Sequence, residues 1–467
     1  MRRCKRTVSA FLAVSLLTAA LGGCSKAPDT AKEEAAGPES STAAQKSSTA
    51  AASETGEEEL GECTLKIWGG IPYENGISDI LDGFMQKYPQ IKVEYTRFTN
   101  DDAGNTKLDT ALLTGEQIDV YFTYAPEILV NRVAGGMAVD LADFGGDKYI
   151  EEMIGTEGVF KVDGKYYALP TAKEPTCVMI NKDLFDEAGI PIPEEWTIDE
   201  FRDIAKKLTN PEKGVYGVYP AFYNDVIPIS TMLLGSNSQY TADGTGANFM
   251  APEFQYDRLS YDLVFTDKSA YPYEEIVSKQ VKSSWDRLFV SGNIGMALFQ
   301  PWMCGTLRNH EEYPHDFVTA FAPMPVPEKG KEYYDVCKLN NFLMINSKSE
   351  YQEQAWELLK YWIEDGIEPL LPFGKITVNK NYSDPNMAAA ILQDPEGKTF
   401  DEASFTKVIL DPEMKSVCNT YITASYDMKQ IMKEEVDRLL LGNQTFEEYL
   451  ENVQSRCDEA IKKESSR

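Results

Sequence analysis

The chain has 467 residues, 43% hydrophobic and 25% charged, enough for one large or two ordinary domains with a sizeable core. Seventy-four acidic residues against 45 basic ones give a formal net charge of −29. A surface this acidic repels phosphate backbones and anionic headgroups, which argues against nucleic acid as a partner.

Four basic residues (Arg2, Arg3, Lys5, Arg6) precede an apolar run from Val8 to Leu21. That layout reads as a secretory signal over 1–23, too short and wrongly flanked for a spanning helix. Leu21-Gly22-Gly23-Cys24 resembles the bacterial lipobox, and the resemblance implies that Cys24 becomes the lipidated first residue of the mature protein. Acyl chains there would hold the protein at a membrane surface, at about 0.8 kcal/mol per buried CH₂. From Ser25 to Glu62 the chain is almost wholly Ala, Ser, Thr, Glu, Lys, Gly and Pro, without one aromatic residue. It cannot bury enough apolar surface to offset its ordering entropy, so 24–62 is expected to be a disordered tether.

A folded body follows. Leu65 and Ile67 alternate with polar neighbours and run into Trp68-Gly69-Gly70, a strand ending in a permissive loop. Ile77, Ile80, Leu81, Phe84, Met85 and Tyr88 recur at helical spacing and stop before Pro89. Ile91, Val93 and Tyr95 alternate as a second strand, and residues 118–122 read as a buried third. Strand-helix-strand-helix-strand predicts right-handed crossovers, helices on both faces of a sheet, and a ligand site at the strand C-termini. The loops placed there are 69–74, 98–100 and 123–126.

Further on, 164–170 reads as a hairpin arm, Cys177–Ile180 as a strand, and Asn181–Phe185 as a helix start. Capping boxes at Thr197–Glu200, Ser349–Gln352 and Thr445–Glu448 announce three more helices.

Chemistry-bearing motifs are scarce. Apart from Cys4 and Cys24, six cysteines (Cys63, Cys177, Cys304, Cys337, Cys418, Cys457) show no metal-ligand spacing. An extracytoplasmic setting permits disulfides, but their pairing cannot be read from sequence. Only two histidines occur, His310 and His315, so a His-based triad or metal site has little to work with. There is no Gly-x-Ser-x-Gly elbow, His-Glu-x-x-His or phosphate loop. No catalytic residue, metal or cofactor is expected.

The order of "GKYYALPTAKEPTCVMINKDLFDEAGIPIPEEWTIDEF", "FVSGNIGMALFQPW", "NSKSEYQEQAWELLKYW" and "LLLGNQTFEEYLENVQSRCDEAIKK" is similar to the family 1 extracellular solute-binding proteins, the sugar-binding receptors of ABC importers. "LTGEQIDVYFTYAPEI…AGGMAVDLADF" fits that family's third-strand region, and the counterparts run over nearly all of 63–467. The resemblance implies an α/β, two-lobed periplasmic-binding-protein-like fold of the class II type. Each lobe would be a mostly parallel sheet flanked by helices, with the ligand cleft at the hinge. Lobe one would comprise 63–177 plus 344–370, and lobe two 178–340 plus 375–467. Hinge crossings are expected near Cys177–Val178 and Asn341–Met344. Implied partners are a small carbohydrate, the membrane subunits of an ABC permease and, through Cys24, the extracytoplasmic face of the membrane; the receptor is expected to act as a monomer.

Sugar rings pack their C–H faces on aromatic side chains while their hydroxyls need hydrogen-bond partners. By resemblance, Trp302 matches the Pro-Trp position whose indole stacks on sugar, and Glu174 matches a polar contact near the hinge. Tyr73, Glu74, Thr123 and Tyr124 lie in strand-end loops, and Phe222 and Tyr223 match an aromatic contact segment. Asn340 and Asn341 offer two amides where small residues are usual. Lys173 and Trp285 are further candidates, read first as structural. The chain departs from the family at Ile180, where Tyr is common, and at Gln300, where Gly commonly precedes Pro-Trp; these leave the ligand class open. The competing readings are the same architecture serving a non-sugar solute, a lipid-anchored carbohydrate-active enzyme, and an adhesive lipoprotein that lost transport.

Overall fold

The computed structural model describes residues 60–466; the signal over 1–23, Cys24 and the tether up to residue 59 lie outside the described residues. Strand β1 (Cys63–Gly69) lies parallel to β2 (Ile91–Arg97), with Leu65 opposite Val93, and to β3 (Val120–Thr123). Strand alternation then sorts the side chains by face. Leu65 and Ile67 enter a core with Phe84, Leu359 and Trp362 from helices Ser78–Lys87 and Gln352–Glu364. Trp68 and Tyr121 face Leu108 and Leu129, from helices Asp102–Thr114 and Pro126–Ala134. The first sheet is thus covered on both sides, as the periodicity predicts.

Strand β4 (Leu169–Pro175) closes that sheet, and after Thr176 alone β5 (Cys177–Asn181) opens a second. The second sheet also contains β6 (Tyr216–Val218), β7 (Ile294–Phe299) and β8 (Thr319–Ala322), in the order β6-β7-β5-β8. Val178, Ile180, Met296 and Leu298 face one cluster with Trp196 and Phe201, whereas Met179, Ala297 and Phe299 face another with Trp285 and Phe405. Finally β9 (Cys337–Ile345) returns to the first sheet between β3 and β4, giving the order β2-β1-β3-β9-β4. The result is a two-lobed α/β fold.

Two details differ from expectation. The sheets are mixed: β1 with β2 and β3, and β6 with β7, are parallel, but β9 runs antiparallel to β3 and β4, and β5 antiparallel to β7 and β8. Strands that carry the chain between lobes enter each sheet from the hinge edge, so they oppose strands built by local βαβ crossovers. The return crossing also falls earlier than Asn341–Met344. Residues 337–345 are one continuous strand of the first sheet, so the crossing is 323–336, held to the first crossing by the Thr176 N–H donating to Val336 O at 2.9 Å. After Gly374 the chain does not pass straight to lobe two. Ile376 bridges Lys173, and Lys380 and Asn381 bond to carbonyls of residues 151–153 in lobe one. The lobes also meet where Lys429 Nζ pairs with Glu127 at 2.8 Å, and where Cys418 and Ile422 pack against the cluster to which Trp68 and Phe342 belong.

Asn181 caps its helix by accepting from Leu184 N–H, and the boxes at Thr197/Glu200 and Thr445/Glu448 form in full. The one at Ser349 does not: its hydroxyl donates to Asp119, and helix Gln352–Glu364 starts from Tyr351 without a side-chain cap. The Ser349 oxygen still accepts a local bond, from the Tyr351 N–H at 3.0 Å, but this is one residue short of the N–H a box requires. Among the described residues all six cysteines are free, and no helix is long and apolar enough to cross a membrane.

In lobe two a buried carboxylate pins the segment that follows Phe222 and Tyr223. Asp257, 4% exposed, accepts from the Ser230 N–H at 2.7 Å and its hydroxyl at 2.6 Å. Burial pushes this carboxyl up to about 8, against the pull of the Ser230 bonds and with the help of Asp225. A carboxyl with a folded value above its unfolded one keeps a proton that the unfolded chain releases. Its contribution is therefore full below about pH 4 and fades as pH rises towards 8. We expect the melting temperature to be lower at pH 8 than at pH 5, and Asp257→Asn to flatten that slope when melting is followed across the range.

Candidate functional site

The richest polar constellation gathers where the crossings meet lobe two. β7 ends at Phe299, and Gln300, 1% exposed, leads into the turn Pro301–Met303. The Gln300 carbonyl oxygen accepts from the Tyr223 hydroxyl at 2.7 Å and from the Trp302 indole N–H at 3.0 Å. Its amide nitrogen donates to Thr176 Oγ1, in the first crossing, at 3.3 Å. One side chain thus fixes an indole and a phenol and ties both to the hinge.

Trp302 is half-buried and packs edge-on against Trp285, with ring centres 6.3 Å apart. Trp285 is wholly buried, donates its indole N–H to Leu298 O, and also meets Tyr223 at 4.7 Å and Phe222 at 5.7 Å. It is the core on which the partly exposed aromatics rest. Tyr223 adopts φ 54, a left-handed conformation that places it at the tip of the tight turn closed by Phe222 N–H to Asp225 O.

Glu174 and Asn340 sit on β4 and β9, and the Asn340 amide donates to Glu174 Oε2 at 3.0 Å. Burial, and then the Glu174 carboxylate, push the Tyr223 phenol up, which brings the carboxylate into the same constellation. Lys375 completes it. Burial lowers its ammonium pKa while Glu174 raises it, and no described residue takes that ammonium in a hydrogen bond or ion pair. Asn341, 2% exposed, adopts φ 55 and accepts from the Thr171 hydroxyl through its carbonyl, while its side-chain nitrogen has no partner. A carboxylate, an ammonium, amides and two aromatic edges together can hold a neutral polyhydroxylated solute by bonds and stacking.

The first-lobe candidates form a separate group at the C-terminal edge of their sheet. Tyr73 is 46% exposed and tilts against Tyr95 at 6.0 Å; Glu74, beside it, is exposed. Tyr124 is less free: it stacks on Phe122 at 5.7 Å and its hydroxyl accepts from Gly70 N–H. Thr123 is wholly buried, and its hydroxyl accepts from Arg132 at 2.6 Å while Arg132 pairs with Asp109. That hydroxyl is committed to the lobe core. Segment 368–375 connects the two groups. Gly76 (φ 87) has Pro369 O 2.3 Å from where a Cβ would lie, and Gly374 (φ 69) has Pro301 O at 2.1 Å, so neither position admits a side chain.

Sequence reasoning missed Gln300 as a site residue and Lys375 altogether. The signal for the first was present, a large amide where Gly is usual before Pro-Trp; Lys375, one surface-like lysine among many, carried none.

A family model described as bacterial extracellular solute-binding protein matches residues 72–368. The maltotriose-binding protein of Pyrococcus abyssi is 23% identical over 356 residues, 74% of this chain and 71% of that one. An ABC substrate-binding protein of Listeria monocytogenes in complex with cycloalternan superposes with a TM-score of 0.67 at 18% identity, covering 86% of this chain and 99% of its own. A Rhizobium etli sugar transporter in an open conformation gives 0.67 at 21%, covering 86% and 99%.

Gln300→Ala strips the acceptor shared by Tyr223 and Trp302, leaving two donors unsatisfied at a cost of about 1–3 kcal/mol. We expect a lower denaturation midpoint and stronger acrylamide quenching of tryptophan fluorescence, largely reversed in Gln300→Glu. Unchanged quenching in Gln300→Ala would mean that packing alone holds the indole.

Proposed function

The chain belongs to the bacterial extracellular solute-binding proteins, and we propose that within this family it is the receptor of an ABC importer for a carbohydrate, an oligosaccharide by preference. The solute is held between the lobes and passed unaltered to membrane permease subunits. Ligand that touches both lobes only when they approach shifts the population towards the closed form, and that form is what the permease reads. The observation that carries the reading is the half-exposed Trp302 indole, oriented by Gln300 and backed by Trp285, beside Glu174, Asn340 and Lys375. Such a surface stacks on a sugar face while charged and amide groups meet its hydroxyls. The maltotriose and cycloalternan named for the relatives favour a saccharide of several units. Tyr73 and Glu74 supply the opposing contacts from lobe one. The reaction class is binding without turnover, and the receptor is held to the outer face of the membrane through lipid on Cys24.

A panel of neutral oligosaccharides tests this by thermal shift and titration calorimetry, with chromatography of the recovered sugar. A ligand that binds only the native state raises the melting point by mass action. Trp302→Ala is expected to weaken the best hit at least tenfold, about 1.4 kcal/mol. Appearance of a cleaved or modified sugar would overturn the binding reading, and absence of any saccharide response would overturn the ligand class. For anchoring, Cys24→Ser is expected to move the protein from the membrane fraction to the medium; membrane retention of that variant would refute the lipid anchor.

A further inference from the structure

We infer that a second pocket, behind the two crossings, binds a small organic cation with an apolar body. The pocket has a volume of about 560 Å³, within the range of small-molecule sites, and is lined by Pro175, Thr176 and Cys177 from the first crossing and by 333–336 from the second. It shares Thr176, to which Gln300 donates, with the cleft constellation, but includes none of Trp302, Tyr223, Glu174, Asn340 and Lys375.

Its wall is apolar. Met232, Phe321, Met324 and Val326 contribute, none more than 8% exposed, with Val408 and Met414 completing it. Flexible thioethers and branched alkyl groups suit a hydrocarbon body of loosely defined shape. The lining turns acidic at Glu194, Glu195, Asp335 and Asp411, against one cation, Lys407. Lys407 is consumed by Glu194, 2.8 Å away. The other three carboxylates accept backbone N–H bonds only: Glu195 from Gly330 at 2.6 Å, Asp335 from Lys415 at 2.7 Å, Asp411 from Glu413 at 2.9 Å. None of the three enters an ion pair among the described residues. Burial, and the neighbouring Asp411, hold the Asp335 carboxyl above its ordinary value against the pull of the Lys415 backbone bond and ammonium.

These features select the ligand. An anion is repelled by three unpaired carboxylates. A neutral hydrocarbon fills the wall but leaves those charges without a counter-ion. A sugar lacks the apolar surface the wall presents. An alkylammonium satisfies both halves, with its head among Asp335, Asp411 and Glu195 and its chain along the methionines.

The test uses the mature receptor and hexyltrimethylammonium as probe, with hexanoate and 1-hexanol as controls, read by thermal shift and titration calorimetry. Millimolar hexyltrimethylammonium is expected to raise the melting point, with hexanoate inert and hexanol clearly weaker. The double variant Asp335→Asn, Asp411→Asn should lose at least fivefold in affinity for the cation, and Val408→Trp, which fills the cavity, should abolish the response. No response, an equal response to hexanol or hexanoate, or a response undiminished in either variant would overturn the proposal. Because it is read without saccharide, it stands or falls independently of the cleft.

Discussion

The Gln300 side chain is the constraint on which the candidate site depends. It is buried at the end of β7, and it spends its oxygen on two donors and its nitrogen on a crossing residue. A buried amide with these partners is costly to leave unsatisfied, so indole, phenol and hinge are held in one register. The aromatic shelf beneath extends that rigidity, because Trp285 is fixed by its own bond to Leu298. The groups that would meet a solute are thus mounted on packed elements, and the first crossing is tied to them through Thr176.

Segment 368–375 is the second device that joins the halves. It is pressed against lobe one at Gly76 and lobe two at Gly374, and Arg308 holds it by donating to Pro372 and Ile391 carbonyls. Two left-handed glycines allow backbone to lie on backbone at both contacts, closer than any side chain would permit. Lys375 follows directly, so its position is set by packing from both lobes.

Much of the architecture was legible in local pattern. Alternation in β1 and β2, the spacing of Ile80, Leu81 and Phe84, and the boxes at Thr197 and Thr445 each need only near neighbours, and each is realised. What failed to show locally was decided at long range. Ser349 carries a capping signature but serves Asp119, and the antiparallel course of β5 and β9 follows from where the chain re-enters each sheet. Of the site, the pairing of Asn340 with Glu174 spans 166 residues, and Thr123, chosen for its loop, is claimed by Arg132. Resemblance could point to Trp302 and Glu174, but only the folded chain brings Gln300 to the first and Lys375 to the second.

The free thiols carry a practical consequence. Burial raises every one of the six described, with Cys304 and Cys457 up to about 12 and Cys63, Cys337 and Cys418 up to about 11. The thiolate is the reactive species, and at neutral pH it is about one part in ten thousand or less of such groups. Maleimide dyes would therefore pass these cysteines by and find a new one placed on the surface, at Leu113 for instance, 58% exposed in lobe one. Among the described residues the thiol background is then low enough for a pair of fluorophores to report, molecule by molecule, how far apart the halves stand.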